Sequence, residues 1–99
     1  MKAMLGDTVI AEAPDEEIIR IEGNAYFPPA SIRRELFSES ATPYTCPWKG
    51  ECQYYDVSVD GETVDDGAFS YPTPYPTAIT RVGQDFSGYV AFWNGIVVS

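Results

Sequence analysis

Both cysteines of this chain, one of its two tryptophans and the only cation between Arg34 and Arg81 fall within Thr45-Cys46-Pro47-Trp48-Lys49-Gly50-Glu51-Cys52-Gln53-Tyr54-Tyr55. Cys46-Pro47-Trp48-Lys49 reads as a β-turn, because proline presets φ for the second turn position. Such a turn brings the Cα atoms of Cys46 and Lys49 to within about 7 Å. An ammonium beside a thiol favours the thiolate, which makes Cys46 a candidate nucleophile and Lys49 its activator. Lys49 is also a candidate contact for a phosphate or carboxylate, with the Trp48 indole as a stacking platform beside it. The plain alternative is structural: buried cysteine packs as a small hydrophobe, and the turn simply opens a strand.

A second chemistry would need carboxylates. Asp65 and Asp66 are the residues that could hold Mg²⁺ against phosphates in nucleotidyl transfer, and Mg²⁺ is expected only under that reading. Neighbours on a strand point to opposite faces, so the two share an ion only if the backbone turns there. No Gly-rich phosphate loop is present. The absence of histidine removes His triads, His bases and His metal ligands, and two cysteines cannot form a four-ligand structural zinc site. No resident metal is therefore expected.

Charge narrows the partners. The net charge is -9, from 15 acidic and 6 basic residues, with no basic stripe. Nucleic acid and anionic membrane surfaces are disfavoured; a small-molecule ligand is expected, and a homo-oligomer stays open. Met1-Lys2-Ala3-Met4-Leu5-Gly6-Asp7 holds no apolar run long enough for a leader or a span, so the expected compartment is cytoplasmic, with both thiols reduced. An apolar share of 44% suits one ordered domain over residues 1–99, with its core at about 7–98.

The positioning elements are short strands. Asp7–Ala13 and Glu17–Glu22 alternate, and are expected to pair as a hairpin across Pro14-Asp15-Glu16. Gly23-Asn24 suits a kink. Pro29–Leu36 is expected to form one or two helical turns, and Phe37–Tyr44 a loop. Glu51–Val59 alternates clearly, with Cys52 and Tyr54 on the face opposite the valines. Asp60-Gly61 turns it into a partner strand that ends at Asp65-Asp66-Gly67. Ala68–Tyr71 is a short strand, Pro72–Pro76 an extended segment, and Thr77–Val82 a helical turn. Asn94-Gly95 predicts a hairpin between Gly88–Trp93 and Ile96–Val98. The expected fold is mainly β: antiparallel strands curled into an open barrel or folded sheet.

Four segments carry a resemblance: Gly23-Asn24-x-Tyr26-Phe27-Pro28, Cys46-Pro47-Trp48-Lys49-Gly50-x-x-x-Tyr54-Tyr55, Ala68-Phe69-Ser70-Tyr71-Pro72 and Gly88-Tyr89-Val90-Ala91-Phe92-Trp93. In this order they resemble the domain of unknown function 427 family across roughly Thr8 to Val98. The family pattern usually has a small residue in place of Cys52 and often Trp in place of Phe69. The Thr77–Ser87 connection looks like a local expansion. The resemblance implies a β-tent-like sheet, carries a nucleotidyltransferase label, and implies that Asn24, Tyr26, Trp48, Lys49, Tyr54 and Tyr71 share one cleft. Three functions follow as expectations. The first is a domain binding a small planar or anionic, nucleotide-like ligand in an aromatic cleft around Cys46–Gly50. The second is an enzyme using Cys46, Lys49 or Asp66. The third is an interaction module presenting Tyr75.

Overall fold

A computed structural model describes residues 1–99. Its centre is an antiparallel sheet of four strands: β5 (Phe37–Cys46), β6 (Gly50–Val59), β7 (Glu62–Ser70) and β8 (Val90–Phe92), in that order. A second sheet joins β1 (Lys2–Leu5) to β2 (Thr8–Glu12) on one side and β9 (Val97–Val98) on the other. A hairpin of β3 (Ile19–Ile21) and β4 (Asn24–Tyr26) completes the strands. The one α-helix, α1, spans Pro76–Val82. The mainly β, open-sheet expectation holds, and the sheet does not close into a barrel.

The central sheet has a different core on each face, because successive strand residues point to opposite sides. Val57, Ala68, Val90 and Phe92 belong to one core, with Phe27, Ile10, Ala3 and Leu5. Cys46, Cys52, Phe69 and Ala91 belong to the other, with Ile19, Ile21, Tyr26, Tyr71, Ala78 and Phe86. The β3–β4 hairpin reaches the sheet through Phe27, whose N–H and carbonyl bond to Val90 at 2.7 and 2.9 Å. The second core is therefore closed by the hairpin on one side and by α1 with Phe86 on the other.

Several local expectations change. β2 pairs with β1, not with β3, because Met1–Leu5 supplies a strand whose Ala3 and Leu5 are both buried. The β3–β4 hairpin turns at Glu22-Gly23, so Glu22 sits in the turn and not on a strand. Pro29–Leu36 does form two short helical turns as expected, 3₁₀ in type, at Pro29–Ser31 and Arg34–Leu36. Phe37–Tyr44 is strand, not loop; its pairing with β6 shifts register between Glu39 and Pro43. Proline is tolerated there because β5 is an edge strand. β7 continues through Asp65-Asp66-Gly67, with Asp66 at φ 51, where the register slips against β6. Asn94-Gly95 does turn, at φ 55 and 97, but the chain leaves for β1, so β9 is not the partner of β8. No helix is long and apolar enough to cross a membrane.

Candidate functional site

The Cys46–Gly50 turn forms as its residues predict, with Gly50 opposite Cys46 in register. Gly50 lies at φ +116, a conformation that a side chain would strain. The Pro72–Pro76 segment straps this turn down: the Tyr75 N–H donates to the Lys49 carbonyl at 3.0 Å. With its backbone held, Lys49 points its side chain inward and is only 5% exposed. Its ammonium lies 4.9 Å from the Tyr71 ring centroid and 5.3 Å from that of Trp48. Arg81, in the last turn of α1, covers Trp48 at 4.3 Å.

The partner of Lys49 is Glu22, which accepts a hydrogen bond from the ammonium. The turn alone does not account for a glutamate there. Glu22 and Gly23 have φ 54 and 82, as Asp60-Gly61 and Asn94-Gly95 do at 50 and 82 and at 55 and 97. Asp and Asn tolerate this left-handed position; a longer side chain meets a cost of about 1–2 kcal/mol. Reach is the property that distinguishes glutamate, and it uses it on Lys49. That hydrogen bond holds the Glu22 carboxyl below its usual range against partial desolvation, while the Lys49 charge, the Trp48 side chain and Arg81 act in the same direction.

Beside this pair lies a cavity of about 310 Å³, lined by Tyr44, Tyr54, Phe69, Tyr71 and Trp93. Register explains the grouping, since Tyr54 lies opposite Phe69 and Phe69 opposite Ala91, two residues before Trp93. Phe69 and Tyr71 are buried, whereas Tyr44 and Trp93 stand at the rim, 47% and 45% exposed. The Tyr54 and Trp93 rings stack with centroids 6.0 Å apart and planes 7° apart. The Trp93 indole N–H donates to the Asp66 carbonyl, which fixes the ring. Burial is the main cause that pushes the Tyr54 and Tyr71 phenols up, so both stay neutral and able to donate.

The six residues implied by resemblance do not occupy one surface. Tyr54 and Tyr71 line the cavity, and Lys49 meets it only through the Tyr71 ring. Trp48 lies between Lys49 and Arg81. Tyr26 is fully buried, edge-on to Phe69 at 5.9 Å. Asn24 is exposed on β4 and makes no side-chain hydrogen bond. Cys46 and Cys52 are free and buried, and no hydrogen bond joins Cys46 to Lys49. Burial also pushes the Cys52 thiol up, more than its polar neighbours lower it. Tyr44, Phe69 and Trp93 are the lining residues that the sequence reading did not select. Phe69 was within reach, two residues before Tyr71 on one strand and hence on its face; Tyr44 was hidden by the loop assignment.

One oxygen of the Asp66 carboxylate is taken up by a local hydrogen bond. Asp66 accepts Thr42 Oγ1 at 2.8 Å through Oδ2, and its N–H donates to Asp56 at 2.8 Å. No three Asp, Glu or Cys side chains converge on one point.

The Tyr26 hydroxyl is buried without a hydrogen-bond partner. A buried hydroxyl that makes no bond costs about 1–3 kcal/mol. Tyr26→Phe should therefore leave the domain as stable or raise its stability by about 1 kcal/mol. Urea unfolding checks this, and a loss of more than about 1 kcal/mol would mean that the hydroxyl is bonded in solution.

No match is found among curated proteins. The family pattern described as "Domain of unknown function (DUF427)" matches residues 1–99, the whole of the sequence that builds both cores and the aromatic cavity, and the chain belongs to that family.

Proposed function

We propose that this domain binds a small organic ligand in the cavity between Tyr44, Tyr54, Phe69, Tyr71 and Trp93. The observation that carries the reading is the lining itself. Five aromatic side chains converge on one concave space of about 310 Å³, two of them at an exposed rim. Ligand sites are typically apolar and aromatic with a few polar groups, from about 300 Å³ upwards. Here the polar groups are the phenol hydroxyls of Tyr44, Tyr54 and Tyr71. The site lies beside the Cys46–Gly50 turn rather than on it.

The anionic part of the expectation rested on Lys49, whose charge faces Glu22. An anion would have to displace that carboxylate, so the proposal keeps the aromatic half. Nucleotidyl transfer, which the family label suggests, finds no support in the carboxylate geometry described above. The Tyr75 ridge is fastened through its backbone to the turn, which suits a strap as well as a docking element.

A thermal-shift panel tests the proposal. It would contain flat aromatics, nucleotides, sugar phosphates and small acids, each with and without Mg²⁺, on wild type and Trp93→Ala. A ligand at a hundred times its Kd adds about 2.7 kcal/mol. For a domain of this size that raises Tm by on the order of 10 °C. At least one compound should produce such a shift, and Trp93→Ala should abolish it. No shift with any compound, or one indifferent to Trp93→Ala, would refute the assignment.

A further inference from the structure

We infer that the group this cavity selects is an alkylated ammonium, a compact organic cation rather than an anion or a neutral ring. The inference rests on the small-ligand reading above and names the ligand class. Aromatic faces carry negative charge density, and several of them around one space make a site for a cation that cannot be satisfied by hydrogen bonds. All five lining residues are aromatic, and none is positively charged. The one nearby ammonium, that of Lys49, is paired with Glu22, so the pair adds no net charge.

A second observation points the same way. Asp66 is fastened to the cavity wall: its carbonyl accepts the Trp93 indole N–H, and Oδ2 accepts Thr42, two residues before Tyr44 on β5. Its other carboxylate oxygen, Oδ1, is buried and makes no hydrogen bond. A carboxylate oxygen without a hydrogen-bond partner, on the residue that holds the Trp93 ring, is costly alone and favourable near a cation. The surrounding protein, at a net charge of -9, adds attraction of the same sign.

The cavity also disfavours sandwiching a flat ring. Tyr54 and Trp93 are parallel, but their centroids are 6.0 Å apart and the two rings already stack on each other. A rounded head group resting against Tyr44, Phe69, Tyr71 and Trp93 needs no such separation. A volume of about 310 Å³ has room for a head group of the trimethylammonium kind together with part of the chain that carries it.

The test measures binding of choline, its neutral isostere dimethylbutanol, and a trimethyl-lysine amide by isothermal titration calorimetry. Choline or the lysine derivative should bind about tenfold or more tightly than the isostere. The tighter of the two identifies whether the head group arrives free or on a polypeptide. Binding should weaken with salt, fall severalfold in Asp66→Asn, and vanish in Trp93→Leu, which keeps an apolar side chain but removes the ring. Asparagine suits the left-handed conformation of Asp66, so that variant should fold. Equal binding of dimethylbutanol, or a cation affinity unchanged in Trp93→Leu, would overturn the inference. If neutral flat aromatics bind and both cations do not, the cation class falls while the small-ligand reading stands; if nothing binds, both fall.

Discussion

Phe86→Ala destabilises this domain by about 3–5 kcal/mol, the usual cost of truncating a fully buried phenylalanine. Phe86 is 0% exposed and meets two tyrosines edge-on, Tyr26 at 6.3 Å and Tyr71 at 6.4 Å. It supports the site from beneath, because Tyr71 has the cavity on one side and Phe86 on another. Removing the ring leaves a void in the smaller of the two cores, where the rigid Pro72–Pro76 strap and the β3–β4 hairpin can collapse only in part. With total stabilities of about 5–15 kcal/mol for such domains, this is a large fraction of the whole. Guanidinium unfolding should show the loss, with a fall in Tm of roughly 12 °C or more. Two comparisons make the result specific. Phe86→Leu, which conserves most of the volume, should cost less than about 1.5 kcal/mol. Tyr75→Ala, at an exposed position, should stay within about 0.5 kcal/mol of wild type. A Phe86→Ala variant as stable as Tyr75→Ala would show that the Thr77–Ser87 segment lies outside the cooperative core.

That segment shows where sequence reading succeeds and where it stops. Glu51–Val59 and the Asp60-Gly61 turn were legible because period-two alternation and a glycine at positive φ are local signals. The Cys46–Gly50 turn was legible for the same reason. The pairing of β1 with β2 and β9 was not, since the four residues of β1 alternate too briefly to announce a strand, and without it β2 and β9 each read as partners of the strand next to them in sequence. Phe86 stands alone among Gln84, Asp85, Ser87 and Gly88, so its neighbours read as a turn and hide a core residue. For the site, the aromatic residues were visible but their convergence was not. Tyr44, Tyr54, Phe69, Tyr71 and Trp93 come from β5, β6, the β7 end and the residue after β8. Only the register of four strands brings them to one face. Lys49 stood out in the sequence, but its pairing depends on Glu22, whose backbone conformation no local pattern disclosed.

The same pair carries the second large effect. Glu22→Ala should cost about 2–3 kcal/mol, because it leaves a buried ammonium without its carboxylate. The figure is below the range for fully buried pairs, since the Glu22 side chain is 53% exposed and water screens part of the interaction. The opposite truncation is predicted to be mild. Lys49→Met retains an unbranched chain between Trp48 and Tyr71 and leaves behind only a carboxylate that water can reach, so it should cost less than about 1 kcal/mol. The double variant should resemble Lys49→Met alone, and a double-mutant cycle measures the coupling. Acid supplies an independent check. The carboxyl of Glu22 titrates below its ordinary value, chiefly through the Lys49 hydrogen bond. A group lowered on folding contributes its stability in full above the unfolded value of about 4.5 and loses it as pH falls through the lower folded value. The gap in Tm between wild type and Glu22→Ala should therefore be open near neutral pH and close as pH falls below the unfolded value. A gap independent of pH would assign the loss to the packing of the Glu22 side chain instead of its charge. Glu22→Gly, which suits a left-handed position but also lacks the carboxylate, reads the turn separately: relief of the turn would make it more stable than Glu22→Ala, but the buried Lys49 ammonium would still hold it below wild type.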